Sequence, residues 1–316
     1  MKAVENRLLI LSEEAAEYRK GIDLAGLQHL QVLTATGDSS SVAKLRDCNI
    51  VLGDPPLISK ILDDLPNLQW VQSGWAGVDS LCKPGLRRDY LLTGIKGVFG
   101  PLISEYIMTY LFAFERRVFA MRSNQLNQIW QPFQYRPARE ITMGIAGLGS
   151  IGRHLVQTAK HFGIRVIGLN RSGKPCVDVR EVYTPDACHG FFEQSDYVVI
   201  SLPGTRQTEH FINDEELRMM RPSAVLMNVG RGSVVNEADL IKALQQGMIG
   251  GALLDVFEKE PLPSESPLWK MENVFITPHN SATSFATDVV ATFIANYQRF
   301  LQGKSLFHEI DTEAGY

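Results

Sequence analysis

The segment Ile141-Thr-Met-Gly-Ile-Ala-Gly147-Leu-Gly149-Ser-Ile-Gly152 carries the strongest fold signal in this chain. Ile141–Ala146 is a short apolar run of strand length, and the residues from Ile151 to Phe162 are spaced as a helix. Between them, Gly147, Leu148, Gly149, Ser150, Ile151 and Gly152 spell G-x-G-x-x-G. In a strand–loop–helix context that pattern binds a dinucleotide. Gly147 makes the tight turn, Gly149 lets the backbone approach a pyrophosphate, and Gly152 lets helix and strand pack closely. The helix start then offers free N–H groups and a positive dipole end to the phosphates.

Working outward, the next strand, Arg165–Leu169, ends in Asn170-Arg171-Ser172-Gly-Lys174. An NAD-binding chain usually carries Asp or Glu there, about 20 residues past the loop, to hold the ribose 2′-OH. Here no carboxylate repels a 2′-phosphate, and Arg171, Ser172 and Lys174 can bind one, the arginine through its planar fork. The expected cofactor is NADP(H) by preference, with NAD(H) possible.

The alternation continues through strands at Tyr197–Leu202, Ala224–Asn228, Ala252–Asp255 and Val274–Thr277, with a helix at Glu237–Gln246. Ahead of the loop, Leu8–Leu11, Gln31–Leu33, Ile50–Leu52 and Leu68–Val71 read as strands of a second parallel α/β sheet. Gly94–Pro101 reads as a linker and Leu102–Arg122 as one long helix. A last helix, Ser284–Leu301, is apolar at helical spacing and is expected to return to the N-terminal domain. The fold class is therefore α/β with two doubly wound parallel-sheet domains. A flavodoxin-like substrate domain takes 1–98 plus 284–316, and a Rossmann cofactor domain takes 99–283.

Composition narrows the class of function. Of 316 residues, 31 are basic and 35 acidic, a net charge of −4 with no basic block, so a nucleic-acid partner is not expected. Leu8–Leu11 is too short for a secretory signal. Ile103–Phe114 stops at Glu115-Arg116-Arg117, short of the ~20 apolar residues of a membrane span. Cys48, Cys82, Cys176 and Cys188 show no C-x-x-C spacing and read as reduced thiols. A cytoplasmic protein with no membrane partner and no metal is the expectation.

Three short motifs carry the chemistry: Asn228-Val-Gly-Arg-Gly-Ser233, Leu254-Asp-Val-Phe-Glu-Lys-Glu-Pro-Leu-Pro263 and Ile276-Thr-Pro-His-Asn280. In doubly wound sheets ligands bind beyond the carboxyl ends of the strands, where Arg231 and His279 both fall. Arg231, set between two glycines, would hold a substrate carboxylate and polarise the neighbouring carbonyl. His279 would donate the proton in reduction and accept it in oxidation, with Glu260 raising its pKa. Asp255, at a strand end, suits a contact to the nicotinamide carboxamide or ribose, although an exchange of roles with Glu260 stays open. The other six histidines lack comparable settings. Ser73-Gly-Trp75-Ala76-Gly77-Val-Asp79 follows a first-domain strand, and the N–H groups of Ala76 and Gly77 could nest an anion.

Together these motifs resemble the D-isomer-specific 2-hydroxyacid dehydrogenase family over nearly the whole chain. The family's catalytic Arg, Glu and His fall on Arg231, Glu260 and His279, and its carboxylate-binding loop on Trp75 through Gly77. The resemblance also implies that Pro203 and Thr208 line the cofactor site, with Val229 and Gly230 beside it. Trp130-Gln-Pro, Glu260 through Trp269 and the ending Ala314-Gly-Tyr316 look like the glyoxylate/hydroxypyruvate reductase A branch, whose members are similar in preferring NADPH, being cytoplasmic and forming homodimers through the cofactor domain. The implied reaction reduces small 2-ketoacids to D-2-hydroxyacids. Asn170 departs from the family's commoner acidic residue, and Trp75 puts a large ring where many members carry a smaller group. Two roles fit Trp130: reaching a neighbouring subunit's site, or packing a dimer arm. A dinucleotide-sensing regulator of the same fold is the competing function, and a formate or phosphite dehydrogenase a third.

Overall fold

The computed structural model describes residues 5–35, 45–176 and 178–312. The ending Ala314-Gly-Tyr316 lies outside them. The chain divides into two compact units, Met1–Val98 with Ser284–Tyr316, and Phe99–Thr283.

The first unit is built on five strands: β1 Asn6–Leu11, β2 Leu30–Ala35, β3 Ile50–Gly53, β4 Trp70–Ser73 and β5 Leu91–Thr93. All pairings are parallel, in the order β2-β1-β3-β4-β5, the flavodoxin-like arrangement. A parallel sheet is covered on both faces, so its central strands must be apolar throughout. Leu8, Leu9 and Ile10 on β1 and Ile50, Val51 and Leu52 on β3 are accordingly inaccessible to solvent. The late helix Ala286–Leu301 belongs to this unit. Its Phe293 stacks on Trp70 of β4 at 5.1 Å, and Asn296 donates to Gln72 Oε1 (3.1 Å) and to the Phe307 carbonyl (3.0 Å). The strand β5 carries no pattern long enough to be read from sequence; its three residues are strand because they pair with β4.

The second unit holds seven parallel strands: β6 Thr142–Ala146, β7 Arg165–Leu169, β8 Val182–Tyr183, β9 Tyr197–Ile200, β10 Val225–Asn228, β11 Gly251–Leu254 and β12 Val274–Ile276. Their order is β12-β11-β10-β9-β6-β7-β8, the Rossmann order with one strand added at the far edge. Register matters for function here. Ala146 pairs with Ile200, Ile200 with Asn228, Asn228 with Leu254, and Leu254 with Ile276. Five strands therefore end side by side, and the loops leaving them share one edge of the sheet.

The helix expected over Leu102–Arg122 is corrected in two ways. It begins at Phe99, with Pro101 tolerated in its first turn, and it ends at Glu115. The chain turns at Arg117, whose φ is 48°, and a separate helix runs over Val118–Leu126. The stop has a tertiary cause. The Glu115 carboxylate accepts from Arg136 (2.6 Å) and from the Tyr197 hydroxyl (2.8 Å), and no residue of Val118–Leu126 is buried to continue the helix on the same core.

Candidate active site

Arg231 leaves the sheet edge just after β10. Asn228 shapes its turn from both sides: the side-chain carbonyl accepts from Gly230 N (3.1 Å) and the amide donates to the Arg231 carbonyl (3.0 Å). This clamp was not legible as such, although Asn228 stands at the head of the motif. The guanidinium donates to the Gly230 carbonyl at 2.8 Å and acts electrostatically on both Glu260 and His279.

Glu260 and His279 meet directly. His279 Nδ1 lies 2.7 Å from Glu260 Oε2, while Glu260 Oε1 accepts from Phe257 N at 3.0 Å. The carboxylate is thus anchored to its own loop before it engages the imidazole. Because Nδ1 faces Glu260, the Nε2 edge is the one left for a reacting group. The Glu260 hydrogen bond is the largest influence on His279 and raises its pKa against the opposing effect of burial. Burial alone would push Glu260 up, but the bonds from His279 and Phe257 with the charges of His279 and Arg231 leave it below its ordinary value. An imidazole held toward its charged form beside a fixed carboxylate is a proton donor that works near neutral pH.

Asp255, the first residue after β11, is fully buried. Its Oδ1 accepts from Thr277 Oγ1 (2.7 Å), Asn280 N (2.9 Å) and Ser281 N (3.1 Å), and Oδ2 lies 3.1 Å from Ser281 N. Its carbonyl accepts from His279 N at 2.9 Å. These bonds tie Asp255 to the turn that carries His279 and set it apart from the imidazole–carboxylate pair. One imidazole escaped the sequence reading: His210 Nε2 lies 2.9 Å from Glu258 Oε1, a pairing that arises because two loops distant in sequence leave the same sheet edge.

The nucleotide loop fits the group its pattern implies. Gly147 has φ of 100°, and a Cβ there would lie 2.8 Å from the Ser201 carbonyl oxygen. A Cβ at Gly152 would run into the Gly147 carbonyl. Gly149 meets nothing within 4 Å, so its side of the loop is open to a ligand. It precedes the helix Ser150–His161, whose first-turn N–H groups no intrahelical carbonyl reaches. After β7, Asn170 folds into its own turn: Oδ1 accepts from Ser172 N, Ser172 Oγ and Gly173 N (3.0, 3.2 and 2.8 Å), and the amide donates to the Lys174 carbonyl at 3.1 Å. Asn170 thereby sets the loop that presents Arg171, Ser172 and Lys174, all exposed. Thr208 Oγ1 donates to the Pro203 carbonyl (2.6 Å) and accepts from Thr205 N (2.9 Å), closing the loop after β9. Val229 N bonds the Ile200 carbonyl at 3.1 Å, tying the strand ends together.

In the other unit, Ser73 Oγ donates to the Trp75 carbonyl (2.7 Å) and accepts from Trp75 N (3.0 Å). The Trp75 ring stays 43% exposed. Neither Gly74 nor Gly77 adopts a positive φ, so the alternating turn that builds an anion nest is not formed around Ala76 and Gly77. Among the described residues no metal-ligating cluster exists, and no helix is long and apolar enough to cross a membrane.

Comparison with known proteins gives a consistent picture. The profile of the NAD-binding domain of D-isomer-specific 2-hydroxyacid dehydrogenases matches residues 108–281. A solved structure of a D-isomer-specific 2-hydroxyacid dehydrogenase family protein from Aeromonas salmonicida is 41% identical, with a TM-score of 0.94 over 98% of this chain and 99% of its own. The NADPH-dependent glyoxylate/hydroxypyruvate reductase of Sinorhizobium meliloti, solved with NADP and sulfate, is 27% identical, with a TM-score of 0.86 over 98% of this chain and all of its own (100%). A glyoxylate reductase of Korarchaeum cryptofilum is 32% identical over 78% of this chain and 77% of its own.

Proposed function

The chain belongs to the D-isomer-specific 2-hydroxyacid dehydrogenases, and from that premise we propose how its own residues carry the reaction. It is an oxidoreductase acting on CH–OH, and it reduces small 2-ketoacids with NAD(P)H, NADP(H) being preferred. Glyoxylate and hydroxypyruvate, the substrates in the names of its relatives, are the first candidates. The observation that carries the reading is the 2.7 Å pair of His279 and Glu260, within electrostatic reach of Arg231.

When bound, the reduced nicotinamide supplies a hydride to the keto carbon. Arg231 binds the substrate carboxylate and draws electron density toward the carbonyl oxygen. His279 gives that oxygen the proton from Nε2, and Glu260 steadies the imidazole while it is charged. Gly147 through Gly152 hold the pyrophosphate on the start of the helix. Arg171, Ser172 and Lys174 take the 2′-phosphate, which no carboxylate opposes. Pro203, Thr208, Val229, Gly230 and Asp255 complete the cofactor's surroundings. Trp75, Ala76 and Gly77, which form no anion nest, are assigned to the substrate through their place in the family's carboxylate-binding loop. The dinucleotide-sensing alternative has no support among relatives named as reductases.

A homodimer belongs to the same reading. The helix Val118–Leu126 buries none of its residues, and a helix of nine residues is not stable on propensity alone. Phe119, Leu126, Ile129 and Trp130 are 48%, 68%, 51% and 98% exposed, an apolar arm suited to a second copy of this chain. A cytoplasmic setting accords with four cysteines that are all free thiols.

The test is NADPH oxidation with purified protein across glyoxylate, hydroxypyruvate, pyruvate and phenylpyruvate, with His279→Ala as control. Turnover on the two small ketoacids that His279→Ala abolishes is the expected result. Turnover on none of the four, or turnover indifferent to His279→Ala, would overturn the reading.

A further inference from the structure

Tyr106 lies in the middle of the helix Phe99–Glu115 and belongs to none of the motifs above. Its hydroxyl is 2.6 Å from Thr277 Oγ1, and Thr277 Oγ1 donates to Asp255 Oδ1 at 2.7 Å. The direction of the chain follows from the inventory of protons. A carboxylate oxygen accepts, so Thr277 commits its single proton to Asp255, and Tyr106 must donate in the other bond. Burial, the largest influence on this phenol, raises its pKa further above neutrality, which keeps it a neutral donor. Its ring is fixed by aromatic contacts: Tyr110 is 4.9 Å away, and Tyr110 in turn lies 6.0 Å from Phe275 on β12.

What the chain of bonds reaches is the turn of the proton donor. Asp255 accepts from the backbone of Asn280 and Ser281 through its carboxylate and from that of His279 through its carbonyl. His279 has φ of 51°, a left-handed conformation uncommon for a non-glycine residue, and the three bonds from the turn to Asp255 hold it there. We propose that Tyr106 is a positioning residue for the proton donor: through Thr277 and Asp255 it holds the turn 277–281 in the shape that keeps His279 on Glu260. The inference rests on the assignment of His279 as that donor. The charged groups acting on His279 are Glu260, Arg231 and Asp255, and the variants below leave all three in place.

The experiment uses full-length Tyr106→Phe, Thr277→Val, their double variant and Thr277→Ser, with thermal unfolding to confirm that each is folded. The His279 imidazole is titrated by NMR in cofactor-free protein, and kcat and KM are measured with NADPH and glyoxylate. Tyr106→Phe and Thr277→Val should each move the His279 midpoint down. Each should also lower kcat, by about tenfold for a slightly misplaced donor. The double variant should be no worse than Thr277→Val, because both break one chain, and Thr277→Ser should restore native behaviour. An unmoved titration in Tyr106→Phe, or effects that add in the double variant, would overturn the proposal. His279→Ala separates the two levels: if it leaves reduction intact, the donor assignment fails, while the titrations still decide whether Tyr106 positions the turn.

Discussion

Glu260 and His279 are each moved toward the charged form by the other, and the sense of that coupling yields a direct expectation. Reduction consumes a proton held by His279, so activity falls as pH rises through the imidazole's pKa. Glu260 raises that pKa, which extends the active range upward. Glu260→Gln should therefore move the alkaline limb of the ketoacid-reduction profile to lower pH; an unmoved limb would remove Glu260 from the pairing. Arg231 invites a second substitution. Lysine keeps the charge but loses the planar two-point grip on a carboxylate, so Arg231→Lys should lower kcat/KM for the ketoacid by about 10²-fold, on the order of losing one oxyanion donor. The KM for NADPH should stay close to native. At this scale, residue types were legible because Arg, Glu and His stand in motifs with few alternative uses. The Asn228 clamp and the Thr277 bond to Asp255 were not, because a side chain's hydrogen-bond partner depends on which loops share a sheet edge.

Elements were legible in proportion to their periodicity. Arg165–Leu169 is a strand over the residues expected, and the helix after Gly149 runs over Ser150–His161, one residue from its expected bounds. The long helix over Leu102–Arg122 misled because its apolar spacing ran on past Glu115. Its end is set by Arg136 and Tyr197, which are 21 and 82 residues away and invisible to any local window. The loops give the predictions at this scale. Gly147→Ala forces a side chain into a positive φ against the Ser201 carbonyl, costing about 1–3 kcal/mol for the backbone strain; a lower Tm and weaker NADPH binding would register it. Arg171→Ala should reduce the NADPH-to-NADH efficiency ratio by about tenfold, as the loss of one charge-assisted hydrogen bond implies. An unchanged ratio would leave Arg171 a solvated surface cation.

The whole molecule consists of two parallel sheets, each with both faces covered, and near-continuous apolar strands announced both. The arm at Val118–Tyr135 is the exception: Phe119 rests on Phe275 at 4.4 Å, but no residue of the helix Val118–Leu126 is buried. If a second copy covers this arm, sedimentation velocity will give a dimer, and Leu126→Glu, at a side chain 68% exposed, will shift it toward monomer at equal concentration. A native protein that sediments as a monomer would refute the dimer.

Local pattern alone carried two doubly wound α/β units, a dinucleotide site on one of them, and an arginine, a histidine and two carboxylates, Asp255 and Glu260, as candidates for its chemistry. Those are consequences of local pattern: apolar runs of strand length, glycines where a side chain has no room, and motifs a few residues long. Only the tertiary structure decided that five strand ends lie in register, so that Glu260 meets His279 at 2.7 Å while Asp255 turns to the backbone beside it. Only there does Tyr106, 171 residues from Thr277, enter the account. The physical reason is that a hydrogen bond needs its partner within about 3 Å, and for residues far apart in sequence that distance is set by sheet order and register.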